Sequence, residues 1–147
     1  NNYDCNLAVL GENFSQSPMI FKKAKNIFKD NITHWGYIKS FDEYSKWLWK
    51  ADILPVTSNQ EFFGASVMEA IYCNTWPILP NRLTYPELIP NELHHEILYN
   101  TEEELFRKTS WAIKKTKKLS KTSLVSVSEQ FDWQIMAPIY DEKLEAI

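Results

Sequence analysis

Glu61 and Glu69 bracket Phe63-Gly64-Ala65 within the run Ser58-Asn59-Gln60-Glu61-Phe62-Phe63-Gly64-Ala65-Ser66-Val67-Met68-Glu69. The run follows a short apolar segment and opens a longer, helix-like one, so Gly64 falls at the start of a helix. A helix start presents unpaired amides and the positive end of the backbone dipole, which together suit a phosphate. Phe63, Gly64 and Ala65 would supply those amides. Two carboxylates cannot themselves bind phosphate, but they can accept hydrogen bonds from sugar hydroxyls on either side of it. A nucleotide sugar has that layout: hexose, two phosphates, ribose. The competing reading makes Glu61 a loop or capping acid and Glu69 the partner of a nearby lysine. Spacing alone does not separate the two.

The elements around this segment alternate. Strands are expected at 7–10, 32–35, 53–56, 76–79 and 97–99. Helices are expected at 17–28, about 40–50, 64–73, 101–119, 122–130 and 132–145. Thr101 ahead of Glu102, Glu103 and Glu104 is a strong helix start, with acids at the positive dipole end. Strand–helix alternation of this kind argues for an α/β fold, a Rossmann-like doubly wound parallel sheet. In such sheets ligands bind at the carboxyl ends of the strands. The chain has only three glycines, and all three fall at such ends. Gly11 and Gly36 follow the first two strands, and Gly64 closes the loop after the third. Each could equally be an ordinary turn glycine.

Length and composition narrow the class. A chain of 147 residues is the size of one domain and buries enough surface for a core without staples. With 44% hydrophobic residues it is not a disordered segment. A net charge of -3 creates no field that would gather nucleic acid by itself. Two cysteines, Cys5 and Cys73, make neither a disulfide framework nor a metal spacing. A reducing cytoplasm fits that usage. No apolar run approaches the roughly 18 residues of a membrane span, and no membrane partner is expected. The start Asn1-Asn2-Tyr3 reads as a fragment, residues 1–147 forming one domain of a larger two-domain protein.

The Glu61-to-Glu69 spacing resembles the E-x7-E signature of family-4 retaining glycosyltransferases of the GT-B type, with Phe63-Gly64 also in register. Closer likeness is to the tRNA-queuosine mannosyltransferase group. It is carried by Val9-Leu10-Gly11-Glu12-Asn13-Phe14, by His34-Trp35-Gly36-Tyr37, and by 61–73 followed by Pro80-Asn81-Arg82-Leu83-Thr84-Tyr85-Pro86-Glu87. The likeness spans about residues 5–100, and Asp132-Trp133 resembles the start of the family's last helix.

The resemblance implies a role for each matched position. Glu61 would bind hydroxyls of the transferred sugar, near its 3-position, orienting the donor without acting as a covalent nucleophile. Glu69 would hold the ribose. The amides of Phe63, Gly64 and Ala65 would take the distal phosphate. Gly36 and Tyr37 would line the nucleobase slot, and Gly11 and Glu12 would border the phosphate end. It implies GDP-mannose as donor, retained configuration and, through the acceptor, contact with tRNA. No Asp-x-Asp occurs, so no metal-diphosphate clamp of that sort is indicated and no metal or other cofactor is expected. The acceptor site and any general base would come from an N-terminal Rossmann-like domain. The family's diphosphate-neutralising Arg and Lys would lie on an earlier segment, outside this chain. Asn74 stands where many relatives have glycine, and asparagine tolerates the left-handed turn required there.

Other residues carry weaker signals. His94-His95-Glu96 invites a metal, but a surface loop is the expected setting, with no third ligand nearby. His34 reads as a packed strand residue with some prospect of a donor contact, and Cys73 as a small buried hydrophobe. Lys114, Lys117, Lys118 and Lys121 share one helix face, which is solvated or touches RNA phosphates. The six tryptophans are expected in the core or on interdomain surface. Three rival readings remain: the same fold using a UDP-sugar, a non-catalytic nucleotide- or RNA-binding module, and a flavodoxin-like domain for another phosphate ligand.

Overall fold

A computed structural model of the chain describes residues 4–11, 18–116, 119 and 122–146. The chain forms two compact units, Asn1–Trp47 and Leu48–Ile147. Among the described residues, no helix is long and apolar enough to cross a membrane.

In the first unit, β1 (Leu7–Leu10) pairs in parallel with β2 (Ile32–Gly36). The crossover carries α1 (Met19–Ile27), with Pro18 just ahead of it as its N-cap. Phe21 and Lys25 lie four positions apart, hence on one helix face. Both reach Trp35: the Phe21 ring meets it edge-on at 6.2 Å, and Lys25 Nζ lies 5.8 Å from its centroid. The register is tied at its start, where Asn31 donates through Nδ2 to the Cys5 carbonyl at 3.0 Å and Leu7 N–H donates to the Asn31 carbonyl at 2.8 Å. Helix α2 (Phe41–Lys50) begins with Asp42 and Glu43 in its first turn.

The second unit is built on three parallel strands in the order β3 (Ile53–Pro55), β4 (Trp76–Pro80), β5 (Leu98–Tyr99). All five residues of central β4 are buried, as expected for a parallel strand covered on both faces. Proline is out of place in a central strand because it cannot donate to the ladder. Here the missing bond is replaced. Val56 N–H donates to the Ile78 carbonyl at 2.9 Å, so the Val56 carbonyl would next accept from residue 80. Pro80 has no N–H, and the Tyr99 hydroxyl donates to that carbonyl instead, at 2.7 Å.

Helix α3 (Ala65–Tyr72) packs Val67, Met68, Ala70 and Ile71 into the core. It ends in a Schellman motif: Thr75 N–H reaches the Ala70 carbonyl and Asn74 N–H the Ile71 carbonyl, both at 2.9 Å. Asn74 takes φ 67°, the left-handed conformation foreseen from its sequence. Helix α6 (Glu102–Lys115) starts on Thr101, whose hydroxyl accepts from Glu104 N–H at 3.2 Å. Glu104 Oε2 in turn accepts from Asn100 N–H at 2.7 Å, and that bond holds the Glu104 carboxyl below its usual range. Helices α7 (Thr122–Glu129) and α8 (Trp133–Glu145) complete the chain. Asp132 caps α8 by accepting from Gln134 N–H at 2.8 Å.

Two expectations need adjustment. His94-His95-Glu96, expected in a surface loop, belong to α5 (His94–Ile97), which follows α4 (Tyr85–Leu88) and a 3-10 turn (Asn91–Leu93). Helix α6 stops at Lys115, short of residue 119, and Lys117, Lys118 and Lys121 lie outside the described residues. Of the tryptophans, Trp76 alone is fully buried, while Trp133 is 70% exposed.

The cap of α6 gives a direct check. Thr101→Ala should lower stability by about 1 kcal/mol, read as a lower urea midpoint with an unchanged slope.

Candidate functional site

The carboxyl ends of β3, β4 and β5 deliver three connections: 56–64, 81–84 and the turn at Asn100. They are linked to each other. Asn81 N–H donates to the Tyr99 carbonyl at 2.7 Å, and Asn81 Nδ2 to Asn100 Oδ1 at 3.0 Å. Arg82 Nη2 reaches back to the β3 connection, within 3.1 Å of both the Ser58 carbonyl and Asn59 Oδ1.

Gly64 closes the first connection as the N-cap of α3, at φ 84° and ψ 32°, with no side-chain cap. Its carbonyl accepts from Val67 N–H at 2.9 Å and Met68 N–H at 3.0 Å. The amides of Ala65 and Ser66 therefore come before the first intrahelical bond, which is the arrangement an anion needs. A Cβ at Gly64 would stand 3.1 Å from Leu88 Cδ1 and 3.5 Å from Tyr85 Cε1. Left-handed backbone and close packing on α4 both require glycine there.

Along α3, Ala65, Ser66, Glu69 and Tyr72 are exposed while Val67, Met68, Ala70 and Ile71 are buried. Helical periodicity thus puts Glu69 on the same outer strip as the unpaired amides, about one turn further along. Glu61 is half-buried, and its Oε1 accepts from Phe62 N–H at 3.0 Å. Phe62 is 98% exposed. Phe63 turns back and meets Phe131 edge-on at 5.0 Å. One loop-and-helix segment therefore carries Glu61, Phe63, Gly64, Ala65 and Glu69.

Gly11, Gly36 and Tyr37 belong to the first unit. Gly11 N–H donates to the Gly36 carbonyl at 3.3 Å, so the two glycines meet at adjacent strand ends. Gly36 takes φ 137°, accessible mainly to glycine. Among the described residues, nothing stands within 4 Å of a Cβ built on Gly11. Tyr37 is 60% exposed. Glu12 lies outside the described residues. His34 is a packed strand residue, its ring 5.3 Å from that of Trp47 and its Nε2 3.0 Å from the Gly36 carbonyl.

The histidine pair is not a loop feature. His94 Nε2 lies 2.8 Å from the Ile89 carbonyl and 3.1 Å from that of Pro86. Carbonyls only accept, so Nε2 carries the proton, and the ring fastens the turn after α4. His95 faces Glu96 at 3.5 Å. Among the described residues, no group of three or more His, Cys, Asp or Glu could hold a metal ion. Cys73 is buried with a free thiol, and burial first, then the Glu69 charge, pushes that thiol up.

Two residues of the site escaped the sequence reading. Arg82 is the sole lysine or arginine between Lys50 and Arg107, a signal that was available. Tyr85 is fully buried, and its hydroxyl has no hydrogen-bond partner. That holds for bonds of ordinary distance and angle; a weaker hydrogen-bonding influence of the Ser58 side chain still reaches the phenol. Burial raises the Tyr85 phenol, the neighbouring Glu61 carboxylate raises it further, and Ser58 and Arg82 pull it down. A concavity of about 520 Å³ lies between α4 and α7 at Leu88, Ile89, Val127 and Gln130. It does not involve Glu61 or Glu69.

Residues 1–123 match the family model for Glycosyl transferases group 1, and the chain belongs to that family. It is 34% identical to the tRNA-queuosine alpha-mannosyltransferase of Drosophila melanogaster, over 71% of this chain and 26% of that protein. It is 29% identical to an uncharacterized glycosyltransferase of Methanocaldococcus jannaschii, over 72% of this chain and 33% of the relative. The chain thus spans a quarter to a third of these curated relatives. Its fold matches the crystal structure of Anabaena HepE in complex with UDP, with a TM-score of 0.64 and 16% identity, over 97% of this chain and 41% of the other.

Two outcomes follow. Gly64→Ala should cost about 1–2 kcal/mol from the left-handed backbone alone, more with the Leu88 contact, read by urea denaturation. Burial raises the phenols of both Tyr85 and Tyr99 above their ordinary value of 10.0. Above pH 10.0 the unfolded chain releases those protons while the folded one keeps them, so stability falls as pH rises. A pH series of melting curves should show that alkaline decline, reduced in Tyr85→Phe.

Proposed function

We propose that the chain is the nucleotide-sugar-binding half of a retaining glycosyltransferase, with GDP-mannose as donor. The observation that carries this is the start of α3, where unpaired amides and Glu69 share one outer strip and Glu61 stands just ahead of them. Membership of the glycosyltransferase family supports it. The choice of mannose, and of queuosine-modified tRNA as acceptor of the whole enzyme, rests on the similarity to the Drosophila protein. A cytoplasmic setting goes with that acceptor.

The chemistry follows from charge. Breaking the bond between the anomeric carbon and the phosphate leaves positive charge on the sugar and negative charge on the departing diphosphate. Preorganised amides at the α3 start stabilise the second. Glu61 accepts hydroxyl protons of the sugar and fixes its orientation, while Glu69 holds the ribose. From the family resemblance alone, Gly36 and Tyr37 are assigned to the base and Gly11 and Glu12 to the phosphate end. No metal takes part in this scheme. A second Rossmann-like domain would bring the acceptor and a general base, and attack would occur on the face the diphosphate leaves.

A UDP-sugar donor is the second reading, favoured by the UDP found in the HepE structure. Calorimetry on the full-length protein with GDP-mannose, GDP, UDP-glucose and UDP separates the two. Glu69→Gln should weaken the preferred nucleotide about tenfold or more, as for a lost hydrogen bond to a charged group, with or without its sugar. Glu61→Gln should weaken only the sugar-bearing form. Unchanged affinity in Glu69→Gln would overturn the ribose assignment. Product analysis with bulk tRNA tests the acceptor.

A further inference from the structure

We propose that the turn at 82–85 is a positioning device for the Glu61 carboxylate, Arg82 pinning the loop ahead of it and the buried Tyr85 hydroxyl donating to it when donor sugar is bound. The inference rests on the reading of Glu61 as a sugar-binding residue.

The geometry has three parts. Arg82 binds Ser58 and Asn59 through one nitrogen at 3.1 Å each, so it fixes the β3 connection two residues before Glu61. The buried Tyr85 packs against the start of α3, its Cε1 3.5 Å from where a Cβ on Gly64 would stand. Between them Leu83 is held at φ 61°, a conformation that costs a bulky residue about 1–2 kcal/mol. The chain accepts that strain in a turn that sends the Arg82 side chain to one end of the 58–64 connection and the Tyr85 ring to the other.

The Tyr85 hydroxyl is the telling group. It is fully buried and unpartnered, and a buried polar group left so costs about 1–3 kcal/mol. A phenylalanine would fill the same space without that cost. Glu61 is near enough for its charge to be felt at the phenol, and its Oε1 is engaged with Phe62 N–H. A carboxylate offers about four lone-pair sites. It can therefore keep the amide, accept the phenol and still bind a sugar hydroxyl. The phenol hydrogen bond then fixes the rotation of the carboxylate, which the flexible Phe62 contact alone does not.

The test uses the full-length protein, GDP-mannose against GDP and UDP-glucose against UDP, by calorimetry. Tyr85→Phe should weaken the bound nucleotide sugar roughly tenfold, the size of one hydrogen bond, and leave the bare nucleotide within about twofold. The ligand-free variant should melt at the same temperature or higher, because an unsatisfied group has been removed. Arg82→Gln should show the same selective loss. Equal losses on sugar-bearing and bare nucleotide would place these side chains on the diphosphate and overturn the inference. So would an unchanged nucleotide-sugar affinity in Tyr85→Phe, or a lower ligand-free melting temperature. A wild-type protein that binds none of the four ligands would overturn the donor reading itself, and this inference with it.

Discussion

A Cβ at residue 64 would stand 3.1 Å from Leu88 Cδ1, close enough that the leucine must give by a few tenths of an ångström, while the backbone turns through φ 84°. The geometry at the strand ends depends on that contact. Seating Gly64 directly on α4 sets where α3 begins and so where its unpaired amides point. It places Glu61 at the lip of the turn and Glu69 about one helical turn along the outer strip. A larger residue would strain the left-handed backbone there and press on the Leu88 side chain. Preorganised donors stabilise charge only when they need not move to do it.

The support beneath this turn comes from the middle strand. β4 is buried along its whole length, and its two prolines shorten the ladder it can make. The replacement of the Pro80 amide by the Tyr99 hydroxyl at the Val56 carbonyl ties β5 to the root of the connection that leads to Glu61. Asn81 bonds to both Tyr99 and Asn100, and Arg82 crosses back to Ser58 and Asn59. The three strand ends are thus held together by side chains where backbone pairing stops. Such cross-links are what allow an open sheet to present a fixed surface at its carboxyl edge.

Buried polar groups elsewhere follow two patterns. Thr75 and Lys108 are paired: the Thr75 hydroxyl lies 3.1 Å from the Leu48 carbonyl and 3.0 Å from that of Ala51, and the Lys108 ammonium donates to the His95 carbonyl. Burial pulls Lys108 below its ordinary range. The Tyr85 hydroxyl, like Trp76 Nε1 and Thr109 Oγ1, has no such partner among the described residues. Orphaned groups are rare in native interiors and call for a reason. At Tyr85 the phenol also feels the charge of Glu61.

Much of this was written in local sequence. The run 58–69 marks a helix start by its apolar periodicity and its glycine. Thr101 before three glutamates marks another, and Asn74 foretells a left-handed helix end, because these features depend on a few adjacent residues. Residues 85–97 were opaque for the opposite reason. Helices of four residues have almost no intrinsic stability, and α4 and α5 exist because Tyr85, Leu88 and Ile97 are buried and His94 fastens the turn between them. Arg82 and Tyr85 look like any loop residues until β3 and β4 lie side by side. Sequence fixes what depends on neighbours along the chain; what depends on groups 20 or more positions apart, such as Arg82 on Ser58 across 24 residues, exists only once the sheet has formed.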